Sequence, residues 1–117
     1  MKIMVVDDAR FVLVRISGMI SGAGHTVVTA SDGKEAVELF KKESPELTFM
    51  DVNMPEMDGL EALTEIKKLD ASAKVIMLTN DNQKETIMKA KTLKADGFLV
   101  KPVTEEVIFS QIKKLAE

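Results

Sequence analysis

The stretch that decides the fold is Leu47-Thr48-Phe49-Met50-Asp51, a near-continuous apolar run that ends on a carboxylate. Similar short apolar runs occupy residues 3–6, 26–29, 75–78 and 98–100 of the 117-residue chain. Strands that are covered on both faces have this character, whereas strands with one face in water alternate between apolar and polar residues. The runs therefore predict five strands, most of them buried on both faces.

Segments with helical spacing of apolar residues separate these runs. The first ends at Gly24, the second lies between Ser31-Asp32-Gly33 and Ser44-Pro45, and the third follows Asp58-Gly59. The fourth covers about 83–93 and has the weakest apolar pattern, and the fifth begins near Thr104. Five repeats of strand then helix predict an α/β fold with a five-stranded, parallel, doubly wound sheet.

Composition indicates one globular domain, which we place at residues 1–117. The absence of cysteine excludes disulfides, thiolate metal sites and cysteine nucleophiles. A net charge of −3 gives no reason to expect nucleic acid or an anionic membrane as a direct partner. The sequence contains neither an apolar run of about 18 residues nor a signal-peptide pattern, so we expect a cytoplasmic domain.

Chemically active side chains follow four of the five predicted strands. Asp7 and Asp8 follow the first, Asp51 the third, Thr79 the fourth and Lys101 the fifth. Ligands of open α/β sheets bind beyond the carboxyl ends of the strands. We therefore expect these five side chains to meet at one edge of the sheet.

The residue types at this edge suit phosphoryl chemistry. Three neighbouring carboxylates repel one another unless a cation lies among them, and Mg²⁺ prefers oxygen ligands of this kind. A lysine can hold a phosphoryl oxygen, and an aspartate can act as a nucleophile that forms an aspartyl phosphate. The residues predict a Mg²⁺-assisted site that carries phosphate on an aspartate.

At this point the sequence resembles the receiver domains of two-component response regulators. The resemblance rests on Val5-Val6-Asp7-Asp8, on Met50-Asp51-Val52-Asn53-Met54-Pro55-Glu56-Met57-Asp58-Gly59, on Thr79, and on Phe98-Leu99-Val100-Lys101-Pro102. These motifs span the chain from end to end, in the family's order and spacing. The resemblance implies the flavodoxin-like strand order 2-1-3-4-5.

The resemblance also implies a role for each site residue. Asp51 matches the phosphoacceptor, Asp7 and Asp8 match the acidic pair that binds Mg²⁺, and the backbone carbonyl of Asn53 is expected to complete the metal site. Thr79 and Lys101 match the hydroxyl and the lysine that contact the phosphoryl group.

Further implied features concern switching and backbone shape. Thr79 and Phe98 match the switch pair, in which the ring's rotamer follows the hydroxyl; the alternative for Phe98 is an ordinary core residue. Asn53, Asn80 and Asp81 are expected to tune dephosphorylation, with a plain surface loop as the alternative for Asn53 and Asp81. The Lys101-Pro102 bond is expected to be cis, and Gly59 to supply backbone freedom through positive φ.

Three residues depart from the family's usual pattern. Asn80 stands where Ala or Gly is common, so we expect altered kinetics without loss of function. Lys94 replaces the usual glycine after the fourth helix. A left-handed conformation there would cost roughly 1 kcal/mol, and a different helix ending is the alternative. Leu13 stands where many chemotaxis-type relatives have arginine. The only histidine, His25, lies far from the acidic edge and is expected on the surface.

The implied function is a stand-alone, chemotaxis-like signalling switch rather than a turnover enzyme. A histidine kinase or phosphotransfer protein would donate the phosphoryl group, and the protein target would bind the face of the fourth helix, fifth strand and fifth helix. The lysines of the fourth helix belong either to that face or simply to a solvated surface. We expect a monomer, with dimerisation on phosphorylation left open.

Three other functions compete with this interpretation. A haloacid-dehalogenase-type phosphatase would need a second aspartate where Asn53 stands, and a cap domain. A flavodoxin-like cofactor binder would need a phosphate-cradling loop where Asp7-Asp8 stands. A phosphate-independent interaction module would be unaffected by Asp51→Asn.

Overall fold

The computed structural model describes residues 1–54, 56–80 and 84–116. Five strands alternate with five helices, as the apolar runs predict. The strands are β1 (Lys2–Val6), β2 (Thr26–Ala30), β3 (Leu47–Asp51), β4 (Lys74–Thr79) and β5 (Gly97–Val100). The helices are α1 (Arg10–Gly22), α2 (Gly33–Glu43), α3 (Gly59–Leu69), α4 (Lys84–Thr92) and α5 (Glu105–Ala116).

All strand pairs are parallel, and the order across the sheet is β2-β1-β3-β4-β5. The expected strand order is confirmed. The central strand β3 is buried along its whole length, and the edge strand β5 is partly exposed. This difference explains why the run around residues 47–51 is the clearest strand signal in the sequence.

Two hydrophobic layers cover the sheet, one on each face. Helices α1 and α5 pack on one face around Ile16, Ile20, Phe49 and Ile108. Helices α2 and α3, together with Ala90 of α4, pack on the other face. Because successive residues of a strand point to opposite faces, Val5 belongs to the first layer and Met4 and Val6 to the second.

Helix α4 is the least buried of the five. Ala90 is its one buried residue among those described, which agrees with its weak apolar pattern. Between α3 and α4 runs an open groove of about 760 Å³ whose lining includes Leu60, Met88 and Leu93. The position of Gln83, where the sequence placed the start of this helix, lies outside the described residues.

Helices α1 and α4 end in the same hydrogen-bonded motif, built on different residues. After α1, Gly24 donates to the carbonyl of Ser21 at 3.0 Å and has φ 91°. After α4, Lys94 donates to the carbonyl of Lys91 at 3.0 Å, and Ala95 donates to that of Ala90 at 3.0 Å. Lys94 has φ 72°, so it does adopt the left-handed conformation that glycine tolerates better.

Lys94→Gly should raise the free energy of unfolding by roughly 0.5–1 kcal/mol. The substitution relieves the strained φ, and this gain is larger than the loss that comes from the greater entropy of glycine in the unfolded chain. Urea unfolding followed by far-ultraviolet circular dichroism measures this change. Lys94→Ala is the matched control, since it removes the charge and keeps the strain. Equal stability of the two variants would contradict the prediction.

A buried hydroxyl lies on the central strand. Thr48 is fully buried, and its Oγ1 has no hydrogen-bond partner within the described parts of the chain. Its neighbours Leu47 and Phe49 point toward α1 and α5, so Thr48 points to the opposite face. An unpaired buried hydroxyl lowers stability.

Thr48→Val should therefore stabilise the fold by about 1 kcal/mol, since valine has the same shape and needs no partner. Thermal unfolding of wild type, Thr48→Val and Thr48→Ser provides the comparison. Serine keeps the hydroxyl and loses a methyl group, so that variant should be less stable than wild type. Loss of stability in Thr48→Val would show that the hydroxyl is bonded after all.

Candidate functional site

Three carboxylates lie together at the carboxyl ends of β1 and β3. Val6 pairs with Met50 across the two strands, so the residues that follow them, Asp7 and Asp51, are neighbours. Carboxylate oxygens of Asp7, Asp8 and Asp51 all lie within 4.8 Å of one another. The predicted meeting of these acids is confirmed.

The three acids differ in their exposure. Asp7 is fully buried and Asp51 is 3% exposed, whereas Asp8 faces solvent. Asp7 is also held in place, because its Oδ1 accepts a hydrogen bond from the backbone N–H of Ala9 at 2.9 Å. The cluster therefore has two fixed, buried carboxylates and one on its solvent side.

Lys101 supplies the positive charge at this edge. Its Nζ donates to Asp7 Oδ2 at 2.6 Å and to Asp51 Oδ1 at 3.0 Å. Its backbone N–H donates to the carbonyl of Thr79 at 2.7 Å, and the Lys101-Pro102 bond is cis, as expected. The lysine thus bridges from the edge of the sheet to two carboxylates near its centre.

Burial and charge change the acid–base properties of this pair. Burial raises the pKa of Asp51 to about 6, with the hydrogen bond from Lys101 opposing the rise and the charge of Asp7 adding to it. Burial alone would lower the pKa of Lys101, but hydrogen bonds and charge from Asp7 and Asp51 outweigh it and raise the pKa. Lys101 is therefore a permanent cation beside a carboxylate that ionises near neutral pH.

The donor set of the cluster fits a hard divalent cation. Three carboxylates and one ammonium group leave an excess of negative charge when all are ionised. All candidate ligands are oxygens, which suit Mg²⁺ or Ca²⁺ rather than a soft metal ion. Asp8, on the solvent side, leaves the cluster accessible from outside.

The remaining predicted site residues differ in burial, as far as the structure describes them. Thr79 ends β4 and is fully buried, one position beyond Leu78, which pairs with Asp51. Asn53 and Asn80 are exposed. Phe98 is partly buried against the hydrophobic layer formed with α2 and α3. Asp81 lies outside the described residues.

The expected reason for Gly59 is wrong. Its φ is not positive, since Gly24 is the positive-φ glycine of the described chain. Instead, a Cβ at Gly59 would lie 1.9 Å from the backbone oxygen of Asp51. Glycine is required there because the start of α3 lies directly against the backbone of the acid-bearing strand.

One contact of the site's loop was not predicted from the sequence. The N–H of Gly33, the first residue of α2, donates to the carbonyl of Met57 at 3.0 Å. The sequence contains no signal for this contact, because the Asp-Gly pair at the start of both α2 and α3 indicates only helix capping. In both helices the aspartate caps the first turn: Asp32 accepts from Glu35 N–H at 2.8 Å, and Asp58 accepts from Glu61 N–H at 2.9 Å.

Comparison with known proteins identifies this constellation. Residues 3–113 match the family described as the response regulator receiver domain. The chain belongs to this family. It is therefore a receiver domain of two-component signalling, a switch activated by phosphorylation.

Chemotaxis response regulators are among the similar proteins. The chain is 40% identical to chemotaxis protein CheY of Bacillus subtilis over 114 residues, which cover 97% of this chain and 95% of that protein. It is 34% identical to CheY of Thermotoga maritima over 117 residues, covering 99% and 98% of the two chains.

Solved structures of the same type superimpose closely on this receiver domain. The CheX–CheY–BeF₃–Mg²⁺ complex of Borrelia burgdorferi contains a chain with a TM-score of 0.94 and 26% identity, covering 99% of this chain and 89% of that one. Vibrio cholerae CheY4 gives a TM-score of 0.92 at 30% identity, with 97% of both chains covered. None of the receiver's helices, over the described residues, is long and apolar enough to cross a membrane.

In metal-free receiver, Asp51→Asn should stabilise the fold at pH 7 and have little effect near pH 4. A raised pKa means that the folded state binds the Asp51 proton more tightly than the unfolded state. Protonated Asp51 therefore stabilises the folded wild type. This contribution is complete below about pH 4 and is lost as the pH rises to about 6. The advantage of the variant should grow over this window to at most about 3 kcal/mol.

Urea unfolding in EDTA at a series of pH values measures this difference. Asp70→Asn is the matched control, because hydrogen bonds from Ser72 lower the pKa of Asp70. Its effect should have the opposite sign, because the ionised Asp70 stabilises the folded state. The deficit of Asp70→Asn relative to wild type should be complete above about pH 4 and should shrink as the pH falls below 4. A difference between wild type and Asp51→Asn that does not vary with pH would contradict the assignment of the raised pKa to Asp51.

Proposed function

We propose that Asp51 is the phosphoacceptor of this receiver, and that it takes its phosphoryl group from a histidine kinase or phosphotransfer protein. The observation that supports this most directly is the hydrogen bond of Lys101 Nζ to Asp51 beside two further carboxylates. A nucleophilic carboxylate, a fixed cation and an acidic pair are the parts that phosphoryl transfer to an aspartate needs.

The transfer step follows from the positions of these groups. An Asp51 carboxylate oxygen attacks the phosphorus of a phosphohistidine, the O–P bond forms, and the N–P bond breaks with its electrons left on the imidazole nitrogen. Only the ionised carboxyl group is nucleophilic, and with a pKa of about 6 Asp51 is mostly ionised at pH 7. The Lys101 ammonium is placed to move its hydrogen bond from the carboxylate to a phosphoryl oxygen.

The proposed cofactor is Mg²⁺, held by the carboxylates of Asp7, Asp8 and Asp51 and by the backbone carbonyl of Asn53. The all-oxygen donor set supports this choice. When bound, Mg²⁺ supplies positive charge that neutralises phosphoryl oxygens. The similar CheY of Borrelia burgdorferi forms its complex with CheX together with BeF₃ and Mg²⁺, which is consistent with the same metal here.

The proposed switch links the site to a surface for a protein target. Thr79 and Phe98 form the switch pair, and the target binds the face made by α4, β5 and α5. Large apolar side chains exposed on these elements support this face: Met88 at 56%, Val100 at 43% and Val107 at 38%. Phosphorylation can control the target only if the two states of this face bind it unequally.

The receiver occupies residues 1–117, acts in the cytoplasm as a monomer, and works as a switch without substrate turnover. It contacts neither nucleic acid nor membrane directly, in keeping with its net charge of −3. Asn53, Asn80 and Asp81 tune the lifetime of the phosphoryl group; the exposure of both asparagines allows them to contact incoming water.

Incubation with acetyl phosphate tests the acceptor directly. Intact mass should show the gain of one phosphoryl group in the presence of Mg²⁺ and no gain in EDTA. Asp51→Asn should stay unmodified, because the amide is not a nucleophile. Asp70→Asn, an aspartate change outside the site, should be modified like wild type.

Wild type that stays unmodified under these conditions would refute the proposal. The receiver would then be a phosphate-independent binding module, and Asp51→Asn should leave its binding partners unchanged. Modification of Asp51→Asn to the wild-type level would place the acceptor at another residue.

A further inference from the structure

The start of α2 contacts the loop that leaves the acid site. The Gly33 N–H donates to the Met57 carbonyl at 3.0 Å, and a Cβ at Gly33 would lie 2.1 Å from that same oxygen. Such a Cβ would also lie 2.9 Å from Met57 Cβ. Gly33 is buried and its φ is not positive, so glycine serves here to give room for a close approach.

This contact anchors the loop after β3 to the neighbouring helix α2. The loop begins after Asp51 and returns to the strand at Gly59, whose N–H donates to the carbonyl of Val52 at 2.8 Å. Between these points lies Asn53, with its side chain exposed. The hydrogen bond from Gly33 connects the far side of the loop to the neighbouring helix.

We propose that Gly33 is a positioning residue for the acid site, acting through the Met57 carbonyl on the loop that carries Asn53. The inference rests on the proposed function in one respect, namely that the Asn53 carbonyl is a ligand of Mg²⁺. The observation that supports the proposal is the position of Gly33, which lies at the start of α2 directly against the Met57 carbonyl and has no side chain. Gly33 itself touches none of the three carboxylates in this role.

The size of the effect follows from the geometry. Real Cβ atoms almost never approach a non-bonded heavy atom closer than 3.0 Å, so an alanine at position 33 must separate the start of α2 from the Met57 oxygen by roughly 1 Å. Mg²⁺ requires near-ideal octahedral geometry, and changes to residues behind metal ligands typically weaken binding about 10–100-fold. Gly33→Ala should therefore weaken Mg²⁺ binding by roughly tenfold.

Isothermal titration of MgCl₂ into the full chain, well below the melting temperature, measures this effect. Two controls separate positioning from general consequences of the substitution. Gly18→Ala makes the same change in α1, where a Cβ meets nothing within 4 Å. Ile66→Val lowers stability by about 0.5–1.5 kcal/mol through a buried core residue far along α3. Both controls should bind Mg²⁺ as wild type does, and wild-type affinity in Gly33→Ala would overturn the proposal.

Amide hydrogen exchange in metal-free protein gives a second measurement that does not depend on Mg²⁺. In Gly33→Ala the Gly59 amide should exchange roughly tenfold faster relative to the Ile76 amide of the same protein, because the loop has lost its anchor. In the two controls this ratio should stay at the wild-type value. An unchanged ratio in Gly33→Ala would overturn the positioning role.

The two measurements also distinguish this inference from the function on which it rests. If wild type fails to bind Mg²⁺, the proposed cofactor is wrong, while the exchange ratio still decides whether Gly33 positions the loop. If Gly33→Ala fails to fold, amide hydrogen exchange in the wild-type protein tests the positioning role of Gly33 instead. The Gly33 amide should then be protected to the same degree as the Gly59 amide, and exchange at the rate of an unbonded amide would overturn the proposal.

Discussion

One ammonium group shared by two buried carboxylates is the interaction on which the rest of this structure depends. Asp7 and Asp51 lie side by side at the carboxyl ends of the paired strands β1 and β3, with almost no water to solvate them. Burial of two like charges at this distance would strongly oppose folding. Lys101 makes the arrangement tolerable, and it can reach both acids only because β4 and β5 lie in order beside β3. The order of the strands, their lengths and the segment that follows β5 together place Lys101 beside the two carboxylates.

The fold and the meeting of the site residues could be predicted because both follow from strand topology. Once five parallel strands are recognised, their carboxyl ends must share an edge, and Asp7, Asp51 and Lys101 meet there. For Lys94 the sequence left two alternatives, a strained left-handed residue or a different helix ending, and the structure has the first. The reason for Gly59 and the contact of Gly33 were not predictable, since each depends on how closely two separate backbone segments approach. The pKa of Asp51 depends on the final depth of burial, which sequence spacing does not contain.

Burial is unevenly distributed among the elements of this fold. Strands β1, β3 and β4 are largely buried, whereas the edge strands β2 and β5 are partly exposed and α4 contributes one buried residue among those described. A strained lysine ends α4, and an apolar groove separates that helix from α3. Elements with little buried surface rearrange at low free-energy cost. The core therefore constrains α4 and β5, on the face that is proposed to meet the target, less than it constrains the central strands.

The contact between Lys101 and Asp7 joins residues 94 positions apart in the chain. During synthesis, the acidic strands β1 and β3 therefore leave the ribosome well before the lysine that neutralises them. A chain that ends before β5 lacks Lys101, so neither Asp7 nor Asp51 can form its ion pair with that lysine. The acid site of the receiver can therefore close only after β5 has been synthesised and brings Lys101 to the edge of the sheet.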